Sequence, residues 1–136
     1  MTGIELGVAD WLKLLTHLKR WLSNLSRAGE ARRQASKQAL RDVIKAVRET
    51  TLYLRSLREG AGKSIDRERR LALLWTELAF QLEDLGLHKL AKRCGITGQY
   101  WADPESLDQE FLKEAGVRLG DIERLARAGL NGLKKK

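Results

Sequence analysis

Residues 29–60 read GEARRQASKQALRDVIKAVRETTLYLRSLREG, and the spacing inside this stretch decides the fold. Ser36, Leu40, Val43, Val47, Thr50, Leu54 and Leu57 recur at alternating intervals of four and three, the period of one helix face. Five of these seven are apolar, and no glycine or proline interrupts them before Gly60 and Gly62. The stretch predicts one long helix over about 29–59. Small Ser36, Ala39 and Ala46 leave room for a close neighbour, and the hydroxyls of Ser36 and Thr50 can bond back to carbonyls one turn earlier.

Upstream, Val8, Trp11, Leu15, Leu18, Leu22 and Leu25 repeat the same spacing, with Leu14 and Trp21 beside them, and predict a helix over about 4–26. Downstream, Ser64 is placed to cap a third helix, with Asp66 and Glu68 near its positive end. Leu71, Leu74, Trp75, Leu78, Leu82 and Leu85 form its seam, and Gly86 ends it. A short segment from His88 to Cys94 stops at Gly95, and a loop is expected over 95–103. Asp103-Pro104-Glu105 has the form of a helix start, because proline at the first helical position loses no hydrogen bond. It predicts a helix over 104–115 that buries Leu107, Phe111 and Leu112 and ends at Gly116. A last helix, capped by Asp121, follows to about 129 with Ile122 and Leu125 inward, and residues 131–136 form a frayed basic tail.

No alternating strand pattern of useful length occurs. The expected fold is all-α, an antiparallel bundle of three long helices plus two or three shorter C-terminal ones. The 136 residues make one domain, with a main bundle over about 4–102 and the C-terminal helices packed on it over 103–130.

Composition agrees and excludes several classes. Hydrophobic residues make up 43% and charged residues 32%, enough for a packed core. One cysteine makes no internal disulfide, and two histidines make no three-histidine metal site. No Glu stands three residues before a His, as di-iron bundles require, so neither a metal nor a cofactor is expected. Charges at Glu5, Asp10, Lys13, Lys19 and Arg20 break any signal-peptide core, no apolar run reaches membrane-spanning length, and a cytoplasmic location is expected.

The net charge of +8 is uneven: residues 1–63 carry +7 and residues 64–136 carry +1. Arg33, Lys37, Arg41, Lys45, Arg48 and Arg55 fall on one side of the second helix, in a sector about 120° wide. This basic face is the leading candidate for an anionic or macromolecular partner, though Asp42 and Glu49 at its margin dilute it. Tyr100 and Trp101, expected on a loop, are placed either to pin the C-terminal helices or to dock a partner.

Other motifs carry less. Gly60-Ala61-Gly62-Lys63-Ser64 resembles the end of a phosphate-binding loop, but Leu57 stands where its first glycine belongs and a helix precedes it. It is read as an interhelical turn. Glu83-Asp84 and the Asp108/Glu110 pair are too close in sequence to face one another on a helix. Cys94 continues the spacing of Leu87 and Leu90 and is expected buried. His17 is expected on the surface and His88 at the end of the third helix. A cleft gathering either histidine with an acid from another helix would signal an enzyme of an unfamiliar kind.

Thr50, Tyr53 and Leu54, then Glu68, Leu71, Leu74 and Trp75, then Leu90, Ala91 and Cys94, then Tyr100, Trp101, Asp103 and Pro104 form a longer pattern. It resembles one in small uncharacterised bacterial all-helical proteins, which have no established activity. The resemblance implies an all-α bacterial protein and adds no catalytic residue. The functional expectation is a non-enzymatic helical interaction module that binds a protein partner or its own copy. The alternative is a sequence-independent nucleic-acid-binding accessory protein using the basic face.

Overall fold

The structure, a computed structural model, describes residues 6–104 and 107–134. Glu105 of the expected helix start, residues 4–5 of the first expected helix and the last two lysines lie outside them. The described residues form five helices: α1 Val8–Leu25, α2 Glu30–Arg58, α3 Ile65–Asp84, α4 His88–Ala102 and α5 Gln109–Lys134. No strand occurs among them.

The helix ends follow local chemistry. Asp10 accepts a hydrogen bond from the Gly7 N–H at 2.9 Å and closes the start of α1. Ser64 caps α3 as its position predicts, accepting from the Arg67 N–H at 3.2 Å. α2 and α3 both end in the same two-bond glycine cap. Ala61 N–H bonds the Ser56 carbonyl and Leu87 N–H the Leu82 carbonyl, each at 2.9 Å. Gly60 and Gly86 hold the left-handed conformation between them, with φ of 97° and 78°.

Three elements differ from expectation. α4 does not stop at Gly95 but runs through Gly98 to Ala102, so Tyr100 and Trp101 lie on a helix and not on a loop. Its glycines are spacing devices. A methyl group at Gly98 would stand 2.5 Å from Thr76 Oγ1 and 3.1 Å from the Ala72 carbonyl, and one at Gly95 would touch Ala79. The two expected C-terminal helices are one. α5 passes through Gly116 and Gly120, starts where Asp108 accepts from the Phe111 N–H at 2.8 Å, and continues helically to Lys134 where fraying is expected. In α1 the buried line is Trp11, Leu14, Leu18, Trp21 and Leu25, while Leu15 and Leu22 are half-buried.

The helices pack as a closed ring in the order α1, α5, α2, α3, α4 and back to α1. Contacts give the directions. Tyr53 meets Glu68 and Thr50 meets Trp75, so α2 and α3 are antiparallel. Gly95 meets Ala79 while Gly98 meets Thr76, so α3 and α4 are antiparallel as well. Asp10 and Arg93 join α1 to α4, Arg48 and Glu123 join α2 to α5, and Gly129 packs on Leu22 of α1. A ring with an odd number of members cannot alternate throughout, and α1 and α5 are its parallel pair. The turn 26–29 does not make α1 and α2 side-by-side neighbours as its shortness suggests, because α5 lies between them.

The core contains Trp11, Trp75, Trp101, Tyr53 and Tyr100 among its fully buried side chains. Tyr100 and Trp101 meet edge to face at 5.2 Å, Trp101 meets Tyr53 at 5.8 Å, and Phe111 of α5 lies 5.4 Å from Tyr100. The pair therefore pins α5 onto the bundle and offers no exposed docking surface.

Candidate functional site

The basic face of α2 does not survive as one continuous surface. Arg33 is buried and donates from Nη1 to the Leu25 carbonyl at 3.0 Å, placing its charge on the negative end of α1. It is a structural cap and not a partner contact. Arg48 is tied to Glu123 of α5 at 3.2 Å, and Arg55 to Glu59 one turn on at 3.3 Å. Lys37, Arg41 and Lys45 remain on three successive turns, with no ion pair among the described residues. Asp42, at their margin, accepts from Gln38 at 3.2 Å.

α3 carries three exposed apolar side chains on one side, interleaved with exposed Arg69. Ile65, Leu73 and Phe80 are 66%, 66% and 67% exposed. At 100° per residue they fall within an arc of about 80° on one side of the helix. Sequence reading counted only the inward seam of α3. The second signal was present as Leu73 and Phe80, seven residues apart and off that seam.

Thr50 and Tyr53 of α2 each anchor a buried polar contact to α3. Thr50 Oγ1 donates to the Ala46 carbonyl at 2.7 Å and accepts from Trp75 Nε1 at 2.9 Å. Tyr53 donates to Glu68 Oε2 at 2.5 Å, accepts from the Ser64 N–H, and lies under the Arg67 guanidinium at 5.1 Å. Burial first, and then the Glu68 hydrogen bond, push the Tyr53 phenol up to about 12. Cys94 is fully buried, which pushes its thiol up to about 12 despite the neighbouring Lys92 and Arg93. Ser36 Oγ, expected to bond back along α2, is buried without a partner.

The histidines are drawn together. His17 of α1, half-buried rather than on the open surface, and His88 line one groove with Arg20 and Lys89. Burial, and then the charges of Arg20, Lys89, Arg93 and Lys13, lower the His17 pKa below its ordinary 6.5. His88 is the first residue of α4 and not a cap on α3, and its Nδ1 lies 2.6 Å from Glu83 Oε1 of α3. This contact spans the short α3–α4 turn at an exposed edge, and Glu83 does not line the groove, so no cleft gathers a histidine with an acid among the described residues. No group of three or more metal-ligating side chains occurs among the described residues, and no described helix is long and apolar enough to cross a membrane. No protein-family model, curated protein or solved structure matches the chain.

Proposed function

We propose that the chain is a non-enzymatic helical interaction module that binds a protein partner or a second copy of itself. The observation that carries this reading is the set of exposed apolar side chains on one side of α3, Ile65, Leu73 and Phe80, which stand about two-thirds in water with exposed Arg69 between the first two. Side chains of this size, aligned at helical spacing, are the usual anchors of helix-to-helix recognition. Leu14 and Trp21 of α1 are buried and add nothing to such a surface, whereas Leu52 of α2 is 48% exposed.

Sedimentation of the wild type and of Leu73→Glu/Phe80→Glu tests it, with a photo-crosslinker at position 80 to capture a partner in cells. Concentration-dependent assembly, or a defined crosslinked partner, that the double variant abolishes supports the reading. A strict monomer with no crosslinked product overturns it.

A second reading is favoured by Lys37, Arg41 and Lys45, which stand on three consecutive turns with no ion pair among the described residues. In it α2 binds nucleic acid without sequence preference. Three neutralised phosphates predict a log–log salt slope of about −3 on duplex DNA. Charge reversal at these three residues abolishes such binding while the helix content is kept, and unchanged binding removes the face from consideration.

A further inference from the structure

The exposed side of α3 carries charge as well as apolar side chains, and the charge changes sign along the helix. Around its start and first half, Lys63, Arg69 and Arg70 are exposed against one exposed acid, Asp66. In the second half Glu77, Glu83 and Asp84 are exposed, and no Lys or Arg occurs from Leu71 to Leu87. Arg70 is tied to Glu49 and Glu83 meets His88, but Arg69, Glu77 and Asp84 have no ion pair among the described residues. The acids of the second half also oppose the helix itself. They gather towards its negative end, where the last turn holds no base to offset them. A helix of the same sequence running the other way meets each half with the opposite charge.

The residues are placed symmetrically about Leu73. Arg69 stands four positions before it and Glu77 four after, while Lys63 stands ten before and Glu83 ten after. Ile65 and Phe80, eight before and seven after, are nearly level across the same centre. At 100° per residue Arg69, Leu73, Glu77 and Phe80 share an arc of about 80°.

We propose that two copies of this chain pair antiparallel through α3, about a two-fold axis at Leu73. This rests on the interaction reading above and names its partner as a second copy. Leu73 then meets Leu73, Ile65 lies by Phe80, and Arg69 faces Glu77 at two equivalent places, the self-complementary form that a two-fold contact takes. Exposed leucine and phenylalanine alone would suit any apolar helix. The reversal of charge about Leu73 is what a second copy supplies. With one 20-residue helix per copy, about 30 Å long, the contact is at the small end of specific interfaces, and association in the micromolar range is expected.

The test is sedimentation equilibrium of the full chain and its charge variants, with thermal unfolding measured alongside. Arg69→Glu and Glu77→Arg alter exposed side chains only, and the unfolding midpoint is expected to hold. Each single variant sets like charges opposite one another at both places and is expected to weaken the dimer about tenfold or more. Both changes in one chain restore opposite charges, and so does mixing the two single variants. Association is then expected to return to within about threefold of the wild type. A parallel pairing gives neither the loss nor the rescue. A wild type that stays monomeric to about 1 mM overturns the self-pairing, as does a dimer that the single variants leave at full strength or that the double variant does not restore. A monomeric wild type whose position 80 crosslinks to a different protein overturns the self-pairing and leaves the interaction reading standing, whereas a monomer with no product overturns both.

Discussion

Arg33 shows how the spacing of a side chain predicts one role while the fold gives it another. The spacing of Arg33 in the α2 stripe was visible in the sequence. The α1 carbonyl end that folds back over it was not, because one chain in one dimension does not show which helix end arrives beside a given turn. Arg33→Met keeps the aliphatic stem but leaves the Leu25 carbonyl without its donor, and should destabilise the fold by about 1.5–3 kcal/mol. Lys37→Met should change it by less than about 0.5 kcal/mol, and urea denaturation measures both. Tyr53 sets a pH dependence. Its phenol titrates near 10 when unfolded but near 12 when folded, so above pH 10 the unfolded state sheds a proton that the native state keeps. Stability therefore falls as pH rises from 10 towards 12, and Tyr53→Phe should flatten that fall in denaturant midpoints measured across the window. His17 acts at the other end. With its folded pKa below 6.5, the unfolded chain takes up the proton first, and stability declines as pH drops below 6.5. His17→Gln should remove that component.

At the level of elements, glycine is where the sequence and the structure part. α2 and α3 were legible because leucine and valine mark their faces and glycines end them at the two left-handed positions. In α4 and α5 the sequence predicts stops at Gly95 and Gly116, whereas in the structure Gly95 is a contact and Gly116 a neutral passenger. The missed signals were present. Ala91, Gly95 and Gly98 repeat at four and three against Ala72, Thr76 and Ala79 at four and three. Leu112, Ala115, Leu119, Ile122, Ala126, Leu130 and Leu133 form one buried line straight through Gly116 and Gly120. A paired substitution separates the two uses. Gly98→Ala forces a methyl against the α3 backbone and should destabilise by about 1–3 kcal/mol. Gly116→Ala meets open space within a helix and should stabilise by about 0.5–1 kcal/mol. Thermal unfolding of the two variants should move in opposite directions. The groove beside α1 lay beyond sequence reading for a related reason: His17 and His88 are 71 positions apart, and only the α1–α4 pairing brings them to one place.

For the whole molecule, the all-helical class and the existence of each long seam could be read from spacing, whereas the ring order could not. Short turns argue for sequential neighbours, and α5 overrides that argument by burying its line between α1 and α2. Removing residues 107–136 should therefore do more than trim an end. The shortened chain should bind 1-anilinonaphthalene-8-sulfonate and melt without a cooperative transition while keeping helical circular dichroism, the signature of secondary structure without fixed packing. The wedge position of α5 also has a consequence in time. At about 5–20 residues per second, a ribosome needs about 1–5 seconds to make the 26 residues of α5 after α1 and α2 already exist. Throughout that interval the nascent chain holds an open slot with Leu22 and Leu25 on its wall, and it is then that chaperones and proteases have access to surfaces the finished protein hides.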